Sequence, residues 1–201
     1  MEILKTYKKL NLVAFSVGLA LKKDGKKDIE PPKGYNDFIK YDDKNINKNK
    51  NGFAIRMGTK LKNNKYVVAV DIDDKSDDKK LNGLIKWNEM INLNGFPSET
   101  AINTPIQKTM NNGYHYLFQV SKEQIETIGT NKLGLMIDGK KYGIDIMATN
   151  GFLMVQPSSL KTKSYKWIKS PSDTDILDMP KFVYDMILDH IGRKATKTVC
   201  S

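Results

Sequence analysis

The sequence predicts a mixed α+β fold. Three observations carry that expectation. Residues 66–73, Tyr-Val-Val-Ala-Val-Asp-Ile-Asp, form a β-branched run of the kind buried on both faces of a sheet. Pro180 opens an amphipathic helix with Phe182, Val183, Met186, Ile187 and Ile191 on one stripe. Along the chain the patterns run helix, strand, helix and then several strands, an order that fits α/β or α+β layering.

In chain order, residues 3–17 read as a helix, with Ile3, Tyr7 and Leu10 at helical spacing. Residues 22–36 read as a charged loop closing on Pro31-Pro32-Lys33-Gly34, and 40–52, rich in Asp, Lys and Asn, as a mobile solvated spacer. A short strand is expected over 52–57 and the strong one over 66–73. Ser76 is the expected N-cap of a helix reaching about Leu93, with Leu84, Trp87 and Ile91 on one side and Gly95-Phe96-Pro97 as its stop. Strands follow over 101–104 and 114–120. Ser121 and Gln124 make a capping box for a short helix to about Gly129. Asn150-Gly151 signals a hairpin between strands 142–148 and 152–156. Lys166-Trp167-Ile168 is a last strand, and the polar residues 193–201 read as a tail or linker after a domain spanning 1–192.

Composition narrows the function. Over 201 residues, 33 basic and 23 acidic side chains leave a net charge of +10, which favours a polyanionic partner. The single cysteine, Cys200, excludes an intramolecular disulfide framework and any zinc site needing two thiolates. The longest apolar candidate, 10–21, is interrupted by Asn11, Ser16 and Gly18, is too short to span a bilayer and lacks a cleavage signal after it. The expectation is a soluble intracellular protein with no membrane partner.

Side chains two apart on a strand share a face, so Asp71 and Asp73 point the same way. Adjacent carboxylates repel and call for a cation, and an oxygen-only set suits Mg²⁺ or Mn²⁺. The alternative is a strand running out into an acidic turn. Asp145 lies in the apolar stretch Tyr-Gly-Ile-Asp-Ile-Met-Ala and is either aimed at a site or bridged to a neighbouring lysine. Together the three acids suggest a two-metal cluster for phosphoryl transfer, and Asp71→Asn is expected to leave folding intact. His115 faces away from Tyr114, Tyr116 and Phe118, as a site residue or a core histidine; His190 reads as structural. Ser158, Lys161 and Lys163 form a possible phosphate cradle after Pro157, and Arg56 and Lys60 around Gly58 a second anion site; solvated loops are the alternative. There is no Walker loop and no Gly-x-Gly-x-x-Gly.

In this order, Asp-x-Asp, Gly-x-His and an apolar-flanked Asp, the chain resembles the archaeo-eukaryotic primase superfamily, above all the bifunctional primase-polymerase domains of viruses, phages and plasmids. Ala54-Ile55-Arg56-Met57-Gly58, Val70-Asp71-Ile72-Asp73, Asn103-Thr104-Pro105, Gly113-Tyr114-His115, Gly143-Ile144-Asp145-Ile146, Asn150-Gly151-Phe152, Pro157-Ser158-Ser159 and Tyr165-Lys166-Trp167 carry the likeness over roughly 10–168. Gly113 stands where many relatives have Ser, and the spacer 105–112 is wider than the usual Pro-Ser-Gly-Gly.

The resemblance implies an RRM-like antiparallel sheet packed beside an N-terminal α/β module. It implies that Asp71, Asp73 and Asp145 ligate two Mg²⁺ or Mn²⁺ ions, without zinc. His115 would touch the nucleotide phosphates, and Ser158, Lys161, Lys163, Arg56 and Lys60 would hold the triphosphate. The implied activity is a template-directed nucleotidyltransferase, a DNA primase and DNA polymerase of genome replication. Its implied partners are single-stranded DNA, dNTPs or NTPs and a fused or associated helicase. It would work in a prokaryotic cytoplasm or a viral replication compartment; heavy Lys and Asn usage fits an AT-rich virus or mobile element. Competing readings are a metal-dependent glycosyltransferase using Asp-x-Asp and a non-catalytic RRM-like nucleic-acid-binding module. A nicking initiator needs a two-histidine motif that His115 and His190 are too far apart in sequence to make.

Overall fold

The computed structural model of the chain describes residues 2–74, 81–129 and 132–199. Helix α1, Glu2–Leu10, is shorter than the expected 3–17. It stops because Asn11 adopts a left-handed conformation (φ 59°), donates to the Lys60 carbonyl at 2.6 Å and accepts the Tyr41 amide at 3.0 Å. The rest of the expected helix is strand β1, Ala14–Leu21. Its Phe15, Val17 and Leu19 enter one apolar cluster while Leu12 and Ala14 enter another, so a two-residue alternation buries both faces where a helix would bury one stripe.

The expected charged loop contains strand β2, Lys27–Glu30, which returns antiparallel along β1 around Gly25 at φ 79°. Strand β3, Gly52–Arg56, and strand β4, Tyr66–Ile72, lie where expected. Helix α2, Gly83–Leu93, starts from Asn82, whose side chain accepts the Leu84 and Ile85 amides at 2.9 and 3.1 Å. The expected cap Ser76 lies outside the described residues. Strand β5 is Ile106–Lys108 rather than 101–104. Strand β6, Tyr114–Val120, and helix α3, Lys122–Ile128, follow with the Ser121–Gln124 capping box formed.

Strands β7, Lys132–Ile137, and β8, Lys140–Met147, make a hairpin around Asp138 (φ 51°) and Gly139 (φ 74°), a turn dipeptide the sequence reading passed over. Strand β9, Phe152–Met154, is followed by the small hairpin β10, Ser159–Leu160, and β11, Lys163–Ser164. Strand β12, Lys166–Lys169, precedes helix α4, Lys181–Val199, so residues 193–199 of the expected tail continue the helix.

The strands form a six-stranded sheet in the order β12-β5-β6-β4-β8-β7, a four-stranded sheet β2-β1-β3-β9, and the β10-β11 pair. Every ladder is antiparallel. The fold is therefore α+β. The expected Asn150-Gly151 hairpin does not form. Strand β8 already has β4 and β7 on its two edges, so the turn hands the chain to the other sheet, where β9 pairs with β3.

One face of the large sheet, including Val70, Tyr116 and Ile146, packs on the helices through Trp87, Ile91, Val183 and Ile187. The opposite face packs Val67, Ala69 and Leu117 against Ile55, Leu153 and Val155 of the small-sheet segments and Tyr7 of α1. Among the described residues, no helix is long and apolar enough to cross a membrane.

Gly113 enters β6 with no room for a side chain: a Cβ there would lie 2.2 Å from the Ile72 carbonyl oxygen. This close approach is why residue 113 is a glycine. Gly113→Ala should lower the melting temperature, with a loss of about 1–3 kcal/mol in denaturant titration, because β6 must move off β4.

Candidate active site

Strand pairing lines up one row of residues across five strands. Gln107 of β5 is opposite His115 of β6, His115 is opposite Asp71 of β4, Asp71 is opposite Asp145 of β8, and Asp145 is opposite Gly134 of β7. Directly opposed residues share a sheet face, so His115, Asp71 and Asp145 are immediate neighbours. Asp73 extends the same edge of the site just past the end of β4, its amide bonded to the Gly143 carbonyl at 2.9 Å.

His115 is held from both sides. Its Nε2 lies 3.2 Å from Asp71 Oδ1, and its Nδ1 lies 3.0 Å from Gln107 Nε2. The buried Gln107 amide can point only one way, because Nε2 also donates to the Met154 carbonyl at 2.9 Å and Oε1 accepts the Gln156 amide at 2.7 Å. A donor facing Nδ1 makes that nitrogen an acceptor and places the ring proton on Nε2, aimed at Asp71. The Tyr165 ring packs on His115 with centroids 5.7 Å apart, and its hydroxyl accepts from Lys27 Nζ at 2.8 Å.

Asp145 is buried and its Oδ2 accepts from Lys132 Nζ at 2.9 Å, while its buried Oδ1 has no hydrogen-bond partner among the described residues. The lysine bridge, one of the two alternatives read from the sequence, is thus formed, and Asp145 stands in register with Asp71. Gly134 makes space here: a Cβ on it would fall 3.0 Å from Asp145 Oδ1 and 2.9 Å from the Lys141 side chain. Burial alone would raise the Asp71 carboxyl; the His115 ring, its hydrogen bond, Lys132 and Lys27 outweigh it and hold Asp71 below the ordinary carboxylate range.

A cleft of about 340 Å³ opens onto the row between the two sheets. Asp71, Asp73, His115, Lys27, Lys132 and Tyr165 line it, and Tyr35 and Phe152, in edge-on contact at 5.3 Å, form an aromatic wall. A second cleft of about 540 Å³ shares Lys27, Ile29 and Asn111 with it, and there the expected phosphate ligands Lys161 and Lys163 sit beside Lys26. The other expected anion ligands are placed elsewhere. The Ser158 hydroxyl is fully buried, donating to the Phe53 carbonyl at 2.9 Å and accepting its amide at 2.8 Å. Arg56 ties the Phe38 carbonyl, at 2.8 Å, to the Asn150 side chain, and Lys60 lies outside both clefts. His190 is buried and accepts the Met136 amide at 3.2 Å, as a structural histidine does.

Sequence reasoning missed Gln107, Lys132, Lys27 and Tyr165. The overlooked signal for Lys132 was the alternation Leu133, Leu135, Ile137 before Asp138-Gly139, which marks a strand beside the Asp145 strand. Gln107 and Lys27 lay in stretches read as spacer and loop.

The oxygen-rich set of Asp71, Asp73 and Asp145 fits a hard divalent cation, and the orphaned Asp145 Oδ1 is an acceptor such an ion would satisfy. Among the described residues, no three ligand-type side chains are drawn together around a single point: Asp71 leans to His115 and Asp145 to Lys132.

These features define an α+β protein with an acidic–histidine site on one face of an antiparallel sheet. The sequence model of the family described as bifunctional DNA primase/polymerase, N-terminal, matches residues 23–182, and the chain belongs to that family. No curated protein matches the chain.

Two outcomes test the geometry. Gln107→Leu should cost about 1–3 kcal/mol in thermal or denaturant unfolding, because the Met154 carbonyl and Gln156 amide lose their partner. It should also release the His115 ring, read as a changed Nδ1/Nε2 balance in ¹⁵N spectra of a chain with two histidines. Asp71→Asn should be less stable than the wild type at neutral pH, contrary to the sequence-based expectation. A carboxyl with a folded pKa below the unfolded value of about 3.9 stabilises above that value and loses the contribution as pH falls through the folded one. The stability gap should therefore close below about pH 4.

Proposed function

We propose that this DNA primase/polymerase family member is a template-directed nucleotidyltransferase that makes primers on single-stranded DNA. The observation that carries the reading is Asp71, flanked in register by His115 and Asp145, at the floor of a cleft with aromatic and basic walls. The strand order β5-β6-β4-β8, with α2 and α3 packed on one face, supports an RRM-like core. Around it, α1 and the small sheet would be the N-terminal module.

Asp71, Asp73 and Asp145 would hold Mg²⁺ or Mn²⁺. Bound there, divalent ions would lower the pKa of an attacking 3′-hydroxyl and stabilise the leaving pyrophosphate. Lys27 and Lys132 at the cleft wall favour a triphosphate, and Tyr35 and Phe152 offer apolar faces to a base. His115, with its proton on Nε2, would donate to a phosphate oxygen once Asp71 turns to the metal. Ser158 and Arg56 would act by shaping the cleft walls, since their polar atoms are engaged with β3, Phe38 and Asn150. Lys161 and Lys163, in the adjoining cleft, would serve the nucleic-acid backbone better than the triphosphate bound beside Asp71.

Incorporation of labelled nucleotides on single-stranded DNA with Mn²⁺ tests the proposal. The wild type should extend or initiate chains, and Asp71→Asn and Asp73→Asn should each lower kcat by about 10³-fold or more, as loss of a metal-centred electrostatic contribution does. Near-normal incorporation by both variants would sink it. Binding of single-stranded DNA should weaken with salt by roughly 0.7 log units per log unit for each phosphate neutralised. Lys161→Ala with Lys163→Ala should flatten that slope while leaving nucleotide KM nearly unchanged.

A further inference from the structure

Lys132 is placed unusually for a surface lysine. Its side chain is 53% exposed, yet Nζ reaches inward to Asp145, whose side chain is 8% exposed. The fields of Asp71 and Asp73 act on the same ammonium. Burial works against its charge, and the bond to Asp145 and those two fields outweigh it, so its pKa lies above the ordinary lysine value. One cationic group thus lies in the field of all three carboxylates that the proposed function assigns to metal.

We infer that Lys132 is the resident counter-ion of the acidic row: it holds Asp145 until a divalent cation displaces it, and so sets the metal affinity of the site. The inference rests on the metal reading above.

Three features carry it. The two partners are unequally placed: Asp145 is buried on its strand, while the Lys132 head sits on a largely exposed stem. Asp145 keeps Oδ1 unpartnered while Oδ2 is taken, so it is half satisfied by the ammonium, and a metal would use what Lys132 leaves open. The carboxylates also do not converge on one point, as expected if Lys132 draws Asp145 one way while His115 draws Asp71 another. A dication entering this row would otherwise meet an ammonium at close range, a repulsion that weakens its binding.

The test is Mn²⁺ titration of nucleotide-free protein, with free ion read by electron paramagnetic resonance and folding checked by melting. Lys132→Met keeps the length of the stem and removes the charge; it should bind Mn²⁺ about fivefold or more tightly than the wild type, the size of a coupling between neighbouring sites. Lys132→Arg keeps the charge and should bind no more tightly than the wild type. Asp145→Asn should lose the tight site in either background. If Lys132→Met melts early, Lys132→Gln replaces it with the same expectation. Unchanged or weaker Mn²⁺ binding in folded Lys132→Met and Lys132→Gln overturns the inference and leaves the metal site standing. Absence of Mn²⁺ binding in the folded wild type and both variants overturns the metal reading, and the inference with it.

Discussion

Two carboxylates, Asp71 and Asp145, stand in register on neighbouring strands, on a face that also carries fully buried apolar side chains. Like charges so placed destabilise a sheet unless each is compensated. The surroundings are organised around that requirement. His115 takes Asp71 and is itself fixed by Gln107, whose amide is pinned by two backbone groups of the 154–156 segment. Lys132 takes half of Asp145, Lys27 adds positive field from β2, and Gly134 leaves open the space a side chain would deny.

Helix packing and the acidic row lie on opposite faces of the large sheet. On the helix side, Val70, Ile72, Tyr116 and Ile144 meet Trp87, Ile91 and Val183 in a dry core. On the other side the small sheet covers Val67, Ala69 and Leu117 and stops short of Asp71. The same strand, β4, is therefore anchored along most of its length and opens to the cleft at its end, through Asp71. A side chain there can be held closely, because the strand that carries it is ordered by packing away from the cleft.

Much of this was legible in the sequence, for identifiable reasons. The β-branched run of β4, the aromatic alternation of β6 and the Ser121–Gln124 box each carry their own local signal, and all three fell where expected. Asp145 was grouped with Asp71 from the pattern of acidic residues, not from alternation, and register sets the two directly opposite each other. What was hidden depended on tertiary context. Residues 12–19 are apolar enough for either periodicity, and only burial from both sides makes them a strand. Asn150-Gly151 is a turn whose flanking strands belong to different sheets, something dipeptide chemistry does not encode. Gln107 gains its importance from its register partner and Lys132 from a diagonal bridge to Asp145 on the next strand, so neither is conspicuous in one dimension.

The pairing of β3 with β9 joins residues 52–56 to 152–154. During synthesis β1, β2 and β3 are complete long before β9 exists, and at a ribosome's pace of roughly 5–20 residues per second the wait is several seconds or more. Throughout that interval β3 presents an open edge, with Phe53, Ala54 and Ile55 uncovered on the nascent chain. The cleft cannot form until its second wall arrives with Phe152, Leu153 and Met154. A chain broken between residues 146 and 151 would thus carry Asp71, Asp73, Asp145 and His115, yet expose a sticky strand edge where the finished protein has a wall.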